Sequence, residues 1–228
     1  KNKNIMKAIK IILILLFSVN NLFSQSYFEN DSLNVYLLEM INEYRSEKGL
    51  DELLLDTGMV KACQHHSRYL SFYDTLTLKD FAQHSEAHDT YSHLQEPINR
   101  VEKRANKYAN IGSYISENVL VREYDLNFIA SSSYLEKNPE YKEGYVKFKK
   151  SIESGKLDYK ALAKSIVYSW KSSPSHNKAL LDPKGYKCGI FAYFYKSQSG
   201  AYMSASTYLV TDDKWETEIK PIIDSYSH

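Results

Sequence analysis

The stretch WKSSPSHNKALL (170–181) sets a histidine two residues after a proline, just past a tryptophan-bearing segment. Pro174 disfavours helix at Ser173 and cannot sit in a helix interior. Ser172–Ser175 is therefore expected to form a corner with His176 just beyond it. Small hydroxyl residues make such a corner open and sterically permissive, which suits a ligand or catalyst and equally suits a plain helix–helix turn. The other chemistry-bearing side chains are His65 and His66, the group His84, His88 and His93, and two cysteines, Cys63 and Cys188. Imidazole is a good zinc ligand and a base near neutral pH. No HExxH, paired CxxC or G-x-S-x-G pattern accompanies these residues. Ser85 and Ser175 each neighbour a histidine in sequence, but adjacency along the chain does not make a nucleophile–base pair.

The elements that must position these groups follow from periodicity. Asn30, Asp31 and Ser32 are cap residues, Leu33, Leu37, Met40, Ile41 and Tyr44 recur at helical spacing, and Gly49 supplies a stop, so 30–49 reads as a helix. Asp56 caps a second, with Val60, Cys63, Ser67 and Leu70 inward. His65 and His66 lie on it about 100° apart, so at most one is expected to face any one site; both read as surface or hydrogen-bonded core histidines. Residues 74–115 are weakly periodic, with a short helix expected over Ile98–Asn106 after Pro97 and a brief strand or turn over 117–122. The polar stretch 124–156, with Pro139 and Gly144, reads as a surface elaboration with some helix. Asp158 caps a further helix carrying Leu162, Ile166 and Trp170 at i, i+4, i+8. Beyond 184 the period becomes two, and 186–196 and 201–211 around Ser197–Gly200 predict a β-hairpin. This order implies an α+β layered fold with a mostly antiparallel sheet.

The chain of 228 residues is 43% hydrophobic and 25% charged, a globular composition of one-domain size. Twenty tyrosines against nine phenylalanines imply many half-buried rings with polar tips. A formal charge of +1 and no basic run argue against nucleic acid as a partner. Residues 1–24 differ from the rest. Lys7 and Lys10 precede an apolar run, Ile11–Phe17, and Ser24 offers a small residue before Gln25, the pattern of a secretory signal peptide, with Met6 as the expected start and Leu22 bulkier than the usual −3 residue. The run is too short for an ordinary membrane span, so no stable span is expected; an uncleaved N-terminal anchor is the competing reading. Cleavage there would take four lysines and no acid and leave a net charge of −3. The expected location is secreted or periplasmic. In that setting Cys63 and Cys188 are either one helix-to-sheet disulfide or two buried thiols.

Several segments, in order, resemble the CAP superfamily (cysteine-rich secretory, antigen 5 and pathogenesis-related-1 proteins), especially its bacterial SCP-like branch. LLEMINEYRSEKGLDELLLDTGMVKACQHHS resembles the family's opening two helices, QHS (83–85) its first-histidine segment, SENVL (116–120) its GEN(I/L) motif, and WKSSPSHNKALLDPKGYKCGIFAYF the bacterial block around its second histidine. The likeness covers about residues 32 to 210, and the implied domain occupies 25–228. It implies a three-layer α-β-α sandwich and a cleft of two histidines with acidic partners that sometimes holds a divalent metal. Carried over, the second histidine is His176, the GEN acid is Glu117, and the first histidine is His84, with His88 as its competitor. Three positions depart from the pattern: Ser116 replaces Gly, Asn177 replaces the usual Arg, and Ser173 stands where animal and plant members carry an acid.

Two function classes follow. Two imidazoles and one carboxylate could hold zinc or another divalent cation with an open position, or Glu117 could orient a histidine through its other N–H. With a metal-bound water, Glu117 as base would give a hydrolase or peptidase using His84, Glu117 and His176. The favoured class is an exported binding module for a lipid or sterol, a small ligand or a protein.

Overall fold

A computed structural model of the chain describes residues 26–27, 32–71, 84, 86, 98, 100–109, 111, 114–124, 136–197 and 200–212. A two-residue strand, β1 (Ser26–Tyr27), precedes α1 (Leu33–Glu47), which buries Leu33, Leu37 and Ile41 on the expected face together with Arg45. Gly49, with φ +71°, turns the chain out of α1, a conformation that side chains with a Cβ rarely adopt. After β2 (Leu54–Leu55), α2 (Thr57–Ser71) begins where Asp56 Oδ1 accepts the Met59 N–H at 2.8 Å. Cys63, Ser67 and Leu70 face inward as expected, but Met59 takes the buried place given to Val60. The cause lies in the sheet: at Gly189 an added Cβ would lie 2.3 Å from the Met59 carbonyl carbon, so only glycine lets α2 come this close.

α3 (Val101–Tyr108) starts three residues later than predicted, and ahead of it the Ile98 N–H is donated to the Glu86 carboxylate at 2.6 Å. β3 (Ile115–Glu123) is a full strand of nine residues, longer than the brief strand or turn expected, since it pairs with β5 along its whole length. Residues 139–153, expected in a surface elaboration, form α4 (Pro139–Glu153). Its Tyr141, Tyr145, Phe148 and Ile152 are part of the main core; the intervening lysines mask this i, i+4, i+7, i+11 stripe. α5 (Tyr159–Ser172) is capped by Asp158 and buries Leu162, Ile166 and Trp170 as predicted. The corner is the single extended residue Ser173, and Pro174 opens α6 (Pro174–Leu180) at a position where its missing N–H costs nothing. β4 (Lys187–Lys196) and β5 (Tyr202–Thr211) form the predicted hairpin.

The sheet runs β1-β4-β5-β3, with β2 also beside β4. It is mostly antiparallel, but the β2–β4 pair is parallel, so the sheet is mixed. Between β1 and β2 the outer edge of β4 is covered in part by α1, whose Asn34 Oδ1 accepts the Ala192 N–H at 3.0 Å. Alternation along the strands divides the core into two. Ile190, Ala192, Phe194, Tyr208 and Val210 meet α1, α4 and α5 on one face, while Leu209, Met203 and Ala205 meet α2 and its neighbours on the other. This is an α-β-α sandwich. Cys63 and Cys188 belong to opposite faces and are both free thiols. Burial pushes the Cys63 thiol far up and the Cys188 thiol to about 12, so neither is a reactive thiolate.

Candidate functional site

The site lies along β3, the end strand of the sheet among the described residues. Glu117 is opposite Leu209 in register and so points to the α2–α3 face, whereas Asn118 is opposite Tyr208 and points to the α5–α6 face. Adjacent residues of one strand thereby hold the two sides of the site. On the first side, Glu117 Oε2 meets His84 Nδ1 at 2.8 Å and Oε1 accepts from Arg104 Nη2 at 2.7 Å. On the second, Asn118 Nδ2 donates to the His176 carbonyl at 2.9 Å and ties the first turn of α6 to the strand.

The opening helix fixes the far end of α6. Arg45, 1% exposed, donates to the carbonyls of Asp51, Leu180, Asp182 and Gly185. Asn42 exchanges two hydrogen bonds with the Leu53 backbone, and Tyr44 OH donates to Asn177 Oδ1 at 3.1 Å. Asn42, Tyr44 and Arg45 of INEYR are thus fasteners, and the last two set α6 and with it His176.

Glu117 is buried. Burial alone would push its carboxyl up, but the charge of His66, the His84 hydrogen bond and Arg104 together hold it below the usual carboxylate range. An ionised carboxylate only accepts hydrogen bonds, so His84 must donate from Nδ1. In the neutral ring that leaves Nε2 as an acceptor, on a side chain that is about half exposed. His176 is half-buried, and its proton affinity is lowered by burial and then by the charge of His84. The two imidazoles are therefore electrostatic neighbours. Ser173 lies at the corner, with its Oγ 3.3 Å from Ser175 Oγ, and supplies no acid. His88 lies outside the described residues.

Behind Glu117 is a polar cluster that sequence reasoning missed. Glu86, 1% exposed, meets His66 Nδ1 at 2.8 Å and His65 Nε2 at 3.1 Å, as well as the Ile98 N–H. Two adjacent helix residues thus serve one carboxylate, contrary to the expectation that at most one could face a site. Each histidine takes one of the two carboxylate oxygens, His65 Oε2 and His66 Oε1. Burial opposes ionisation of Glu86, but these donors and the His66 charge hold its carboxyl down at about 2. Arg104, fully buried, joins the halves: Nη1 and Nη2 donate to the His84 carbonyl at 3.3 and 3.2 Å, Nη1 also to Ile98 O, and Nε lies 3.7 Å from Glu86. It fastens the backbone of His84 as well as its carboxylate partner. Only the charged residue types hinted at this, since Glu86 stands two residues past His84 and Arg104 faces inward on a short helix.

Comparison with known proteins agrees with this architecture. The profile of the cysteine-rich secretory protein family, CAP, matches residues 38–211. No curated protein matches. Among solved structures, an outer surface protein of Borrelia burgdorferi is similar at 14% identity and TM-score 0.50, over 83% of this chain and 98% of that one. A cysteine-rich secretory protein of Staphylococcus aureus (12% identity, TM-score 0.41) and an extracellular SCP-domain protein of Bacillus anthracis (13%, 0.44) align over 81% and 79% of this chain. The alignments span only 39% and 40% of those two proteins. At these identities the likeness concerns the fold alone. With its profile matched over most of its length and the sandwich in place, the chain belongs to the CAP family of cysteine-rich secretory proteins.

Proposed function

We propose that the chain is an exported binding module whose cleft presents two imidazoles, His84 and His176, to a polar group of its ligand. The observation that carries this reading is the engagement of Glu117: each carboxylate oxygen accepts a hydrogen bond, one from His84 and one from Arg104, and the side chain is only 4% exposed. A general base needs an oxygen that its substrate can reach, and almost none of the Glu117 side chain is open to one. Its arrangement supports an orienting role, in which it fixes the tautomer of His84, over the hydrolase alternative. Export is supported by the amino-terminal pattern, whose residues lie outside the described ones; among the described residues no helix is long and apolar enough to cross a membrane.

A divalent cation fits this donor set only in part. Zinc sites usually take three or four protein ligands, and with Glu117 engaged the cleft offers His84 Nε2 and the His176 ring. Among the described residues no group of three His, Cys, Asp or Glu side chains is disposed to hold a metal. Zinc would therefore be a weak guest of two imidazoles, with its other positions left to water or ligand.

Zinc titration followed by melting temperature tests the cleft, because a ligand of the native state raises it by an amount that grows as ln(1 + L/Kd), with L the free zinc concentration. The melting temperatures of wild type and His88→Ala should climb with zinc concentration, and those of His84→Ala and His176→Ala should not. An unchanged response in both of the latter, or none in wild type, removes zinc from the reading. Loss in His88→Ala with retention in His84→Ala transfers the first position to His88.

A further inference from the structure

The polar cluster behind Glu117 holds a second constellation, in which none of the cleft residues takes part. Tyr108, in the last turn of α3, places its hydroxyl 2.8 Å from His65 Nδ1, and His65 Nε2 lies 3.1 Å from Glu86 Oε2. Hydroxyl, imidazole and carboxylate thus stand in a row, each within hydrogen-bond distance of the next. The row runs inward: Tyr108 and His65 are partly exposed and Glu86 is almost fully buried. Nucleophile, base and orienting acid follow one another in the same way in hydrolytic triads, which are recognised by geometry and role rather than by sequence position.

Each member is held in place. Glu86 also accepts the Ile98 N–H at 2.6 Å and meets His66 at 2.8 Å, which fixes its carboxylate beside His65. Gly58, in the first turn of α2, packs on the backbone of Tyr108 and Ala109, and a Cβ there would collide with the Tyr108 carbonyl. The last turn of α3 is therefore held against the helix that carries His65. A carboxylate accepts hydrogen bonds and does not donate them, so the neutral His65 ring keeps its proton on Nε2. Nδ1 is then the acceptor and takes the hydrogen bond of the Tyr108 hydroxyl. Lys107 Nζ lies 5.7 Å from the centroid of the Tyr108 ring, where its charge favours a ring that gains electron density.

We propose that Tyr108 is an acyl-accepting nucleophile, with His65 as its base and Glu86 as the group that orients His65. Its substrate class is an activated acyl ester. In the transfer the Tyr108 oxygen forms a bond to the acyl carbon, and the ester C–O bond breaks with its electron pair leaving on the departing oxygen. The phenolic proton passes to His65 Nδ1. The imidazolium stands against the Glu86 carboxylate until it gives that proton to the leaving group, and the product is an O-acyl tyrosine. The cleft reading neither requires this site nor supports it.

The test treats the purified protein at neutral pH with p-nitrophenyl acetate, quenches it in acid and locates the acetyl groups peptide by peptide by mass spectrometry. Tyr186, 40% exposed, is the internal reference, because exposure alone would make it react faster than Tyr108. Acetyl should enter Tyr108 at least about tenfold faster than Tyr186, a modest share of what a positioned base contributes. His65→Gln should bring Tyr108 down to the reference rate, and Tyr108→Phe should lose the fast phase of p-nitrophenolate release. Long-range ¹H–¹⁵N correlation of His65 in the wild-type protein should show a proton on Nε2 and a bare Nδ1, a readout that needs no variant to fold. Acetylation of Tyr108 no faster than of Tyr186, undiminished acetylation in a folded His65→Gln, or a His65 ring protonated on Nδ1 would each overturn the proposal.

Discussion

The two faces of the sheet are built in opposite ways. Against α1, α4 and α5 lies an apolar and aromatic core, in which Phe148 meets Tyr124 and Phe194 edge-on at centroid distances of 5.1 and 4.9 Å, and Trp170 is fully buried. Against α2 and α3 the outer end of the layer is ionic: His66, Glu86 and Arg104 are almost wholly buried, and Glu117 lies beside them. Apolar packing stabilises without direction. A buried ion cluster offsets a large desolvation cost only in one geometry, so it specifies where His84 sits more than it stabilises the fold. The half of the candidate site that holds Glu117 and His84 lies on this ionic face, and the half that holds His176 lies on the other.

That contrast can be broken by substitution. Phe148→Ala should cost about 3–5 kcal/mol in urea unfolding, the usual range for a fully buried aromatic, and leave the His84 imidazole resonances unchanged. Arg104→Met should cost a comparable ~3–5 kcal/mol, because it strands two buried carboxylates, and should also move those resonances. Equal displacement of His84 by both variants would mean that the ionic cluster has no special positioning role.

Acid titration sharpens the comparison next. The Glu86 carboxyl is held at about 2 in the folded protein, below its unfolded value of roughly 4.3. Its contribution is therefore fully present above about pH 4.3 and is lost as pH falls toward 2, on the order of 3 kcal/mol. Glu86→Gln should flatten stability over that window. A variant as steeply acid-sensitive as wild type would show that Glu86 is not the group responsible.

Smaller effects separate the two sides of β3. Asn118→Ala removes one hydrogen bond to the His176 carbonyl and should cost about 1 kcal/mol, with faster amide exchange in α6 and unchanged exchange in α2. The smallest effect belongs to His176. Its folded proton affinity is lowered, so its contribution is present above the unfolded value near pH 6.5 and is lost as pH falls through the folded one. His176→Gln should remove that slight slope between wild-type melting temperatures measured at neutral and mildly acidic pH.

The same contrast explains what could be read from the residues. Leu33, Leu37 and Ile41, the Leu162–Ile166–Trp170 row and the β4–β5 hairpin followed from hydrophobic period alone, because an apolar face writes itself at fixed spacing. α4 was masked because lysines interrupt its stripe of Tyr141, Tyr145, Phe148 and Ile152. Met59 displaced Val60 because Gly189, 130 positions further along the chain, admits a backbone, and no local pattern records that. The ionic cluster left no period at all: its members come from α2, α3, β3 and the segment around His84, and only folding joins them. His84, Glu117 and His176 were reached through family likeness; the roles of Arg104 and Glu86 required coordinates.

Long-range ¹H–¹⁵N correlation of the His84 imidazole at neutral pH asks directly whether Glu117 orients it. The account predicts a neutral ring locked with its proton on Nδ1 and a bare Nε2, a state lost in Glu117→Gln. A ring protonated on Nε2, or one exchanging freely between tautomers in the wild-type protein, would contradict it.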